Sequence, residues 1–305
     1  MTPNFEPWVA ITIGAALLQC LRTAQQKRLT AYLRTNAVTF VRYLYGAPVA
    51  ATLLLLLAAV GDAPLPRLST PFVLDCIVGG IAQIAATSLL ILSFKLRNFA
   101  VGTTYSKTET VQTALLSTLV LAEPLSAPAW GAIAISLMGV VLLSLQPGRI
   151  GLREVVTGWT QTSALVGLAS GGLFAVSAIS IRAAALSLDH GDFLVRALIT
   201  LAFMTAIQTA LMVAWLAWRE HEELRKVIVF WKPAALVGLL SVFGSLGWFS
   251  AMTLQNAAHV RALGQVELVF TVVVSRYGFR ERPTAQELCG IALIAGGVVT
   301  LLLAR

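Results

Sequence analysis

The strongest constraint on this chain is that its plan is written twice. Leu96-Arg97-Asn98-Phe99-Ala100 aligns with Leu254-Gln255-Asn256-Ala257-Ala258, and the correspondence runs on at one constant offset. Glu109 falls on Glu267, Thr113 on Thr271, Glu123 on Glu281, Ile133-Ala134 on Ile291-Ala292, and Gly139-Val140-Val141 on Gly297-Val298-Val299. Upstream, at a slightly different offset, Arg28 falls on Arg182 and Val41-Arg42 on Val195-Arg196. Both copies are apolar: hydrophobic residues make up 57 % of the chain and charged ones 12 %, against about a quarter charged in soluble domains. At a mean hydropathy of +0.81 there is too little polar surface to cover a water-soluble core. The chain is therefore read as an integral membrane protein. Duplication in such a chain points to a transporter with its substrate site between two halves.

A helix needs about 20 apolar residues to cross a hydrocarbon core of about 30 Å. Segments near 8–26, 36–58, 71–93, 99–120 and 128–146 meet this in the first half, and segments near 163–184, 193–217, 233–253, 259–275 and 285–303 in the second. Turn chemistry separates them at Gly61-Asp62-Ala63-Pro64, Pro147-Gly148, Asp189-His190-Gly191-Asp192 and Arg282-Pro283. The expected fold is an all-α membrane protein with ten transmembrane helices in two homologous five-helix halves with inverted topology. The halves cover 1–146 and 163–305, joined by a short linker at 147–162, so they should pack side by side. Gly79-Gly80, Gly167, Gly171-Gly172 and Gly296-Gly297 should let helices approach closely.

Composition also narrows the chemistry. The net charge of +8 comes mostly from Lys and Arg in short loops, where they set orientation and meet anionic lipid headgroups rather than nucleic acid. Cys20, Cys76 and Cys289 are isolated in apolar runs and form neither a disulfide framework nor a metal site. The first residues carry Glu6 and no basic cluster, so the first segment reads as retained rather than as a secretory signal. There is no His-Glu-x-x-His, no Gly-x-Ser-x-Gly, no phosphate-binding Gly-rich loop and no Cys/His cluster. Thr104 and Lys107 resemble a hydroxyl/Lys nucleophile pair by spacing alone. No cofactor is expected. Without an ATP-binding module, transport must run on a gradient. The competing classes are a lipid-interacting scaffold and an intramembrane enzyme.

Glu123-Pro124-Leu125-Ser126, followed by an apolar helix ending Met138-Gly139-Val140-Val141, resembles the EamA-type domain of the drug/metabolite transporter superfamily. So does Glu281-Arg282-Pro283-Thr284, followed by the helix holding Gly296-Gly297. Arg42 and Arg196, and the Glu fourteen positions before each loop Glu, also fit. Thr110 and Leu268 depart from the pattern, since Pro often follows that intramembrane Glu. The resemblance implies two such domains, ten helices and the movement of a small organic solute, such as an amino acid or a relative, with export as the direction. It also implies a multi-pass protein of the bacterial inner membrane. Protons and a second copy of the chain are further partners to consider.

Depth in the membrane selects the polar residues of interest. At 1.5 Å per residue, Glu109 lies about 21 Å from a helix end at Glu123, and Glu267 lies equally deep from Glu281. A carboxylate there must meet a partner or a wet cavity. It is either a substrate-contacting or proton-exchanging group, or a buried bond between helices. Lys107 stands about 200° around the helix from Glu109 and should not neutralise it. Lys107 and Arg261 have no charged counterparts in the other half, which suggests substrate choice. Their alternatives are snorkelling to the interface and pairing with Glu. Arg261 and Gln265 share one helix face.

On the first helix Thr12, Ala15, Gln19, Arg22 and Gln26 form one stripe, expected to face the bundle interior, with snorkelling the alternative for Arg22. Gln83 and Trp248 add hydrogen-bonding and stacking groups, together with Thr87, Ser88, Ser241 and Ser245. The substrate-path candidates are thus Gln19, Arg22, Gln83, Lys107, Glu109, Trp248, Arg261, Gln265 and Glu267, with Arg22, Lys107 and Arg261 favouring an anionic group or a zwitterion. Asn98 and Asn256 read as turn or cap residues.

Loops after the odd-numbered spans hold Lys27, Arg28, Arg34, Lys95, Arg97, Arg149, Arg153, Arg219, Arg225, Lys226, Lys232, Arg276, Arg280 and Arg282. The opposite side holds Arg67, Arg182 and Arg305. Cytoplasmic loops carry the excess of Lys and Arg, so both termini should lie outside, whereas the family resemblance implies cytoplasmic termini. A reporter that fluoresces only in the cytoplasm, fused at Arg305, is expected to stay dark; a bright fusion reverses the assignment.

Overall fold

The computed structural model describes residues 6–60, 66–96, 106–144, 162–278 and 284–303, and helix is the regular structure among them. In chain order the helices are α1 (Pro7–Leu29), α2 (Thr35–Leu44), α3 (Gly46–Val60), α4 (Thr70–Leu96), α5 (Glu109–Val120) and α6 (Ala127–Ser144). The second half contributes α7 (Thr162–Leu186), α8 (Phe193–Arg219), α9 (His221–Val229), α10 (Trp231–Leu254), α11 (Ala257–Leu263), a 3-10 turn (Gly264–Val266), α12 (Glu267–Gly278) and α13 (Ala285–Leu303). The breaks read at 61–64, at Pro147-Gly148 and at Arg282-Pro283 lie outside the described residues. So do all but the last residue of the linker, and Asn98, Thr104 and Glu281.

Each expected apolar segment carries a helix, and among the described residues seven helical stretches have the length and apolarity to cross a membrane. They are Pro7–Leu29, Thr35–Ala59, Thr70–Phe94, Ala164–Leu186, Phe193–Arg219, Trp231–Leu254 and Ala257–Val274. Ala127–Leu142 and Leu288–Leu301 are apolar but shorter, and α5 is the described part of the segment expected at 99–120. The second stretch breaks between α2 and α3 because Pro48 has no N–H to offer the Leu44 carbonyl. Side chains start two helices: Asp192 accepts from the Val195 N–H at 2.8 Å, and Asn256 accepts from the Ala258 N–H at 2.7 Å, the capping role read from its position.

The two halves interlock. The three most extensive helix pairings, α4 with α7, α6 with α13 and α1 with α10, each join one half to the other. Lipid offers helices no hydrophobic drive to associate, so close packing must supply it. The α6–α13 seam shows how. A Cβ on Gly139 would lie 2.5 Å from the Gly290 carbonyl oxygen, and one on Gly297 would lie 2.7 Å from that of Ala132. Repeat-equivalent glycines thus open the seam from both sides. Gly296, beside Gly297, faces open space and has no such part.

Polar clamps close both ends of the bundle. At one end Ala122 takes a left-handed turn, φ 52°, and Glu123 beyond it accepts from Arg182 Nη2 at 2.6 Å and Nε at 2.9 Å. Arg182 Nη1 also donates to the Met252 and Gln255 carbonyls, tying the loop between α5 and α6 to the end of α10. At the other end the amphipathic α9 meets the start of α2. The Arg34 N–H donates to Glu223 Oε2 at 2.9 Å, and Asn36 donates to Glu220 at 2.8 Å.

Glu223 is a pH probe for that second clamp. Burial raises its pKa, but the Arg34 N–H, the Lys226 hydrogen bond and the charges of Lys226 and Arg34 outweigh this. The carboxyl is held below its ordinary value of 4.5. A group whose folded pKa is depressed stabilises fully above the unfolded value and loses that contribution as pH falls through the folded one. Thermal stability in detergent should therefore carry a Glu223 component that is constant above pH 4.5 and fades only in stronger acid. Glu223→Gln should remove that component, and a variant with the wild-type acid profile contradicts the assignment.

Candidate functional site

The repeat brings two helix interruptions to the centre of the bundle. In the second half the helix tightens into 3-10 geometry at Gly264–Val266, just before Glu267. In the first half Lys107 and Thr108 form a turn just before Glu109. There the Thr110 N–H bonds to the Lys107 carbonyl and that of Val111 to Thr108, both with the short 3-10 spacing. The two breaks occupy repeat-equivalent positions. Tightened turns within a helix mark hinges and functional sites, and here they carry the two deep carboxylates.

Those carboxylates are paired across the halves. Lys107 Nζ of the first half lies 2.5 Å from Glu267 Oε2 of the second, and Arg261 Nη1 of the second lies 2.8 Å from Glu109 Oε1 of the first. All four residues are at least nine-tenths buried. The pairs are crossed but unequal. Glu267 Oε2 also accepts from Gln19 Nε2 at 2.7 Å, whereas the Arg261–Glu109 approach is misaligned for a hydrogen bond and leaves Glu109 Oε1 without one. Of the alternatives read for Lys107 and Arg261, pairing with Glu is what the fold adopts, and Lys107 and Glu109 are not partners of each other.

Glycines set the geometry around these pairs. A Cβ on Gly171 of α7 would lie 2.9 Å from the Ser106 carbonyl oxygen and 3.0 Å from the Glu109 nitrogen, so glycine lets α7 press on the first break. A Cβ on Gly264 would run into the Trp248 ring. The indole thus lies against the second break, and Arg261 Cζ sits 4.8 Å from its centroid in a cation–π contact.

Beside the pairs runs a narrow crevice between α1, α2, α4, α7, α10 and α11, lined by Gln19, Arg22, Arg42, Gln83, Phe174, Ile181, Ser245, Trp248, Phe249 and Arg261. A second narrow space shares Arg42, Gln83 and Ser245 with it and extends to Tyr43, Thr205, Gln208 and Ser241. Five of the nine candidates therefore meet at the crevice: Gln19, Arg22, Gln83, Trp248 and Arg261. Of the others, Lys107, Glu109 and Glu267 belong to the ion pairs next to it, and Gln265 lies in the 3-10 turn before Glu267. Gln265 is 1 % exposed and its Oε1 finds no donor among the described residues. Arg22 is 3 % exposed, so its stripe faces inward as expected and it does not snorkel.

The third cation at the crevice is Arg42, not Lys107 as expected. Arg42 is 3 % exposed and donates to Ser241 Oγ and Thr87 Oγ1 at 3.0 Å and to Ser245 Oγ at 3.4 Å. Its repeat partner Arg196 instead sits in the first turn of α8 and donates to the Gly191 carbonyl at 2.9 Å. The signal that could have separated them was depth: Arg42 lies seven residues into α2, Arg196 three into α8. Gln208, which donates to Gln83 Oε1 at 3.0 Å, carried no signal beyond being polar in an apolar run.

Comparison with known proteins agrees with this architecture. No curated protein matches the chain in sequence. One crystal structure, described only as that of a protein, aligns with 98 % of this chain and 97 % of its own at a TM-score of 0.70 and 20 % identity, a likeness of fold. The family model for the EamA-like transporter family matches residues 6–145 and 161–303, one match on each half. With both repeats matched along nearly its whole length, the chain belongs to the EamA-like transporter family.

Proposed function

We propose that this protein is a gradient-driven transporter of a small organic metabolite, such as an amino acid or a related solute. Ten spans form two inverted five-helix halves, and the solute path follows the seam where they meet. The observation that carries this reading is the crossed pairing of Lys107 with Glu267 and Arg261 with Glu109, at helix breaks that the repeat places in both halves beside a polar crevice. Interrupted helices at the repeat interface are where transporters hold their solutes. The membrane is the bacterial inner membrane, with export the direction that the family resemblance implies.

Two patterns support the inverted arrangement. Among the described residues, the clamps between loops join segments that ten spans would put on one face: Arg34 with Glu223, Arg67 with Asp189, Glu123 with Arg182. Exchanging the halves also turns the α4–α7 pairing into α10–α1 and returns α6–α13 to itself, as a pseudo-two-fold axis requires. Reconstitution into liposomes, with a panel of labelled amino acids and metabolites and an imposed pH gradient, tests the function. Flux or exchange of at least one solute is expected; silence across a broad panel favours a scaffold.

The two carboxylates should not contribute equally. Glu267→Gln strands the buried Lys107 ammonium, and breaking such a pair costs about 3–5 kcal/mol. Glu109→Gln strands Arg261, which keeps its stacking on Trp248, so the loss should be smaller. Thermal unfolding in detergent and liposome flux, measured on both variants, read this out. Parallel losses of stability with specific activity intact would reduce both carboxylates to scaffold.

A further inference from the structure

We propose that the crevice is an anion site, built to hold a small organic solute bearing two negative charges, of the dicarboxylate class, on Arg22 and Arg42. As a substrate assignment it rests on the transport reading; as a binding site it rests on the charges and donors that line the crevice.

Among the described residues, four buried cations share this layer with two buried acids. Lys107 and Arg261 are matched by Glu267 and Glu109. Arg22 and Arg42 have no carboxylate within 4.0 Å among the described residues. The three bonds of Arg42 take one hydrogen from each of its nitrogens to a neutral hydroxyl and bring no counter-charge. Arg22 has less: Nη2 reaches Thr23 Oγ1 at 3.5 Å, and Nε has no partner among the described residues. Two unbalanced guanidinium groups in the interior of a membrane protein are costly and mark a functional site.

The unpartnered hydrogen bonds at the crevice have the same sign. Arg22 Nε, Arg261 Nε and Trp248 Nε1 are all donors, buried and without acceptors, and Trp248 is 5 % exposed. A cationic solute would add to the repulsion, and a zwitterion would leave the surplus of two positive charges standing. A dianion removes it while accepting from these donors. Phe174, Ile181 and Phe249 supply apolar wall for a short hydrocarbon chain between two charged ends.

The test uses the purified full chain in detergent and chloride-free buffer, with thermal unfolding followed by tryptophan fluorescence. The probes are succinate, glutarate and adipate, against neutral succinamide, zwitterionic alanine, and chloride. At least one dicarboxylate should raise the unfolding midpoint saturably, while succinamide and alanine should not. Arg22→Gln and Arg42→Gln should each weaken that protection by about tenfold or more, as expected for losing a charged hydrogen-bond partner. Should either variant fail to fold, Gln83→Glu decides. Its carboxylate can still accept from Gln208 while offering an oxygen to Arg42, so the ligand-free protein should become more stable and dicarboxylate protection should disappear. Equal protection by succinamide, alanine or chloride, no protection by any dicarboxylate, or a Gln83→Glu protein that still binds each overturns the proposal. Dicarboxylate protection without flux for any solute leaves the anion site standing and removes transport; flux of neutral solutes without such protection does the reverse.

Discussion

Charge inside a hydrocarbon slab must be neutralised locally, because there is no water to do it, and in this protein neither half can do so alone. Lys107 of the first half needs Glu267 of the second, and Arg261 of the second needs Glu109 of the first. A half folded in isolation would keep one acid and one cation on the same helical stretch, both without their observed partners. The crossed arrangement therefore makes the centre of the bundle a joint product of both repeats. Coulombic attraction is strong at this depth, yet the desolvation it must offset is also large. The pairs accordingly fix register and position between the halves more than they add net stability.

Everything that brings these four side chains together is backbone geometry that small residues permit. Gly171 lets α7 approach the first helix break, and Gly264 leaves room for the Trp248 ring against the second. Farther out, Gly139 and Gly297 open the α6–α13 seam to near backbone contact. In lipid such close approach is a main source of helix association. The clamps at the two ends, Arg182 on Glu123 and Glu223 on the Arg34 N–H, fix the helix ends to which those seams lead. Packing, clamps and central charges thus depend on one another.

The crevice departs from this balance. Its lining offers donors and positive charge where the rest of the interior pairs them off, and an interior optimised for stability alone would place apolar side chains there. The second break adds a place where the helix can change its hydrogen bonding cheaply, because a 3-10 turn already has poorer bonds than an α-helix. Arg261 couples the two features. It faces Glu109 at 2.8 Å, stacks on Trp248 and lines the crevice, so an anion arriving there competes directly with a pair that joins the halves.

Much of this was legible in the chain itself. Hydropathy places a helix at each apolar segment because backbone groups in lipid can be satisfied only within a helix, and the duplicated residues mark the two halves. Depth counting singled out Glu109 and Glu267, which the fold buries, and helical spacing put Arg22 on an inward face. What tertiary structure alone decided was partnership. Helical geometry shows that Lys107 and Glu109 diverge, but not that Lys107 meets Glu267 more than half the chain away. The repeat suggested that Arg42 and Arg196 act alike, whereas their depths give one to the crevice and the other to a helix end. The physical reason is one of range: periodicity and hydropathy act over a few turns of one helix, while charge pairing in a low-dielectric interior depends on a few ångströms between helices. Only the packed bundle sets those distances.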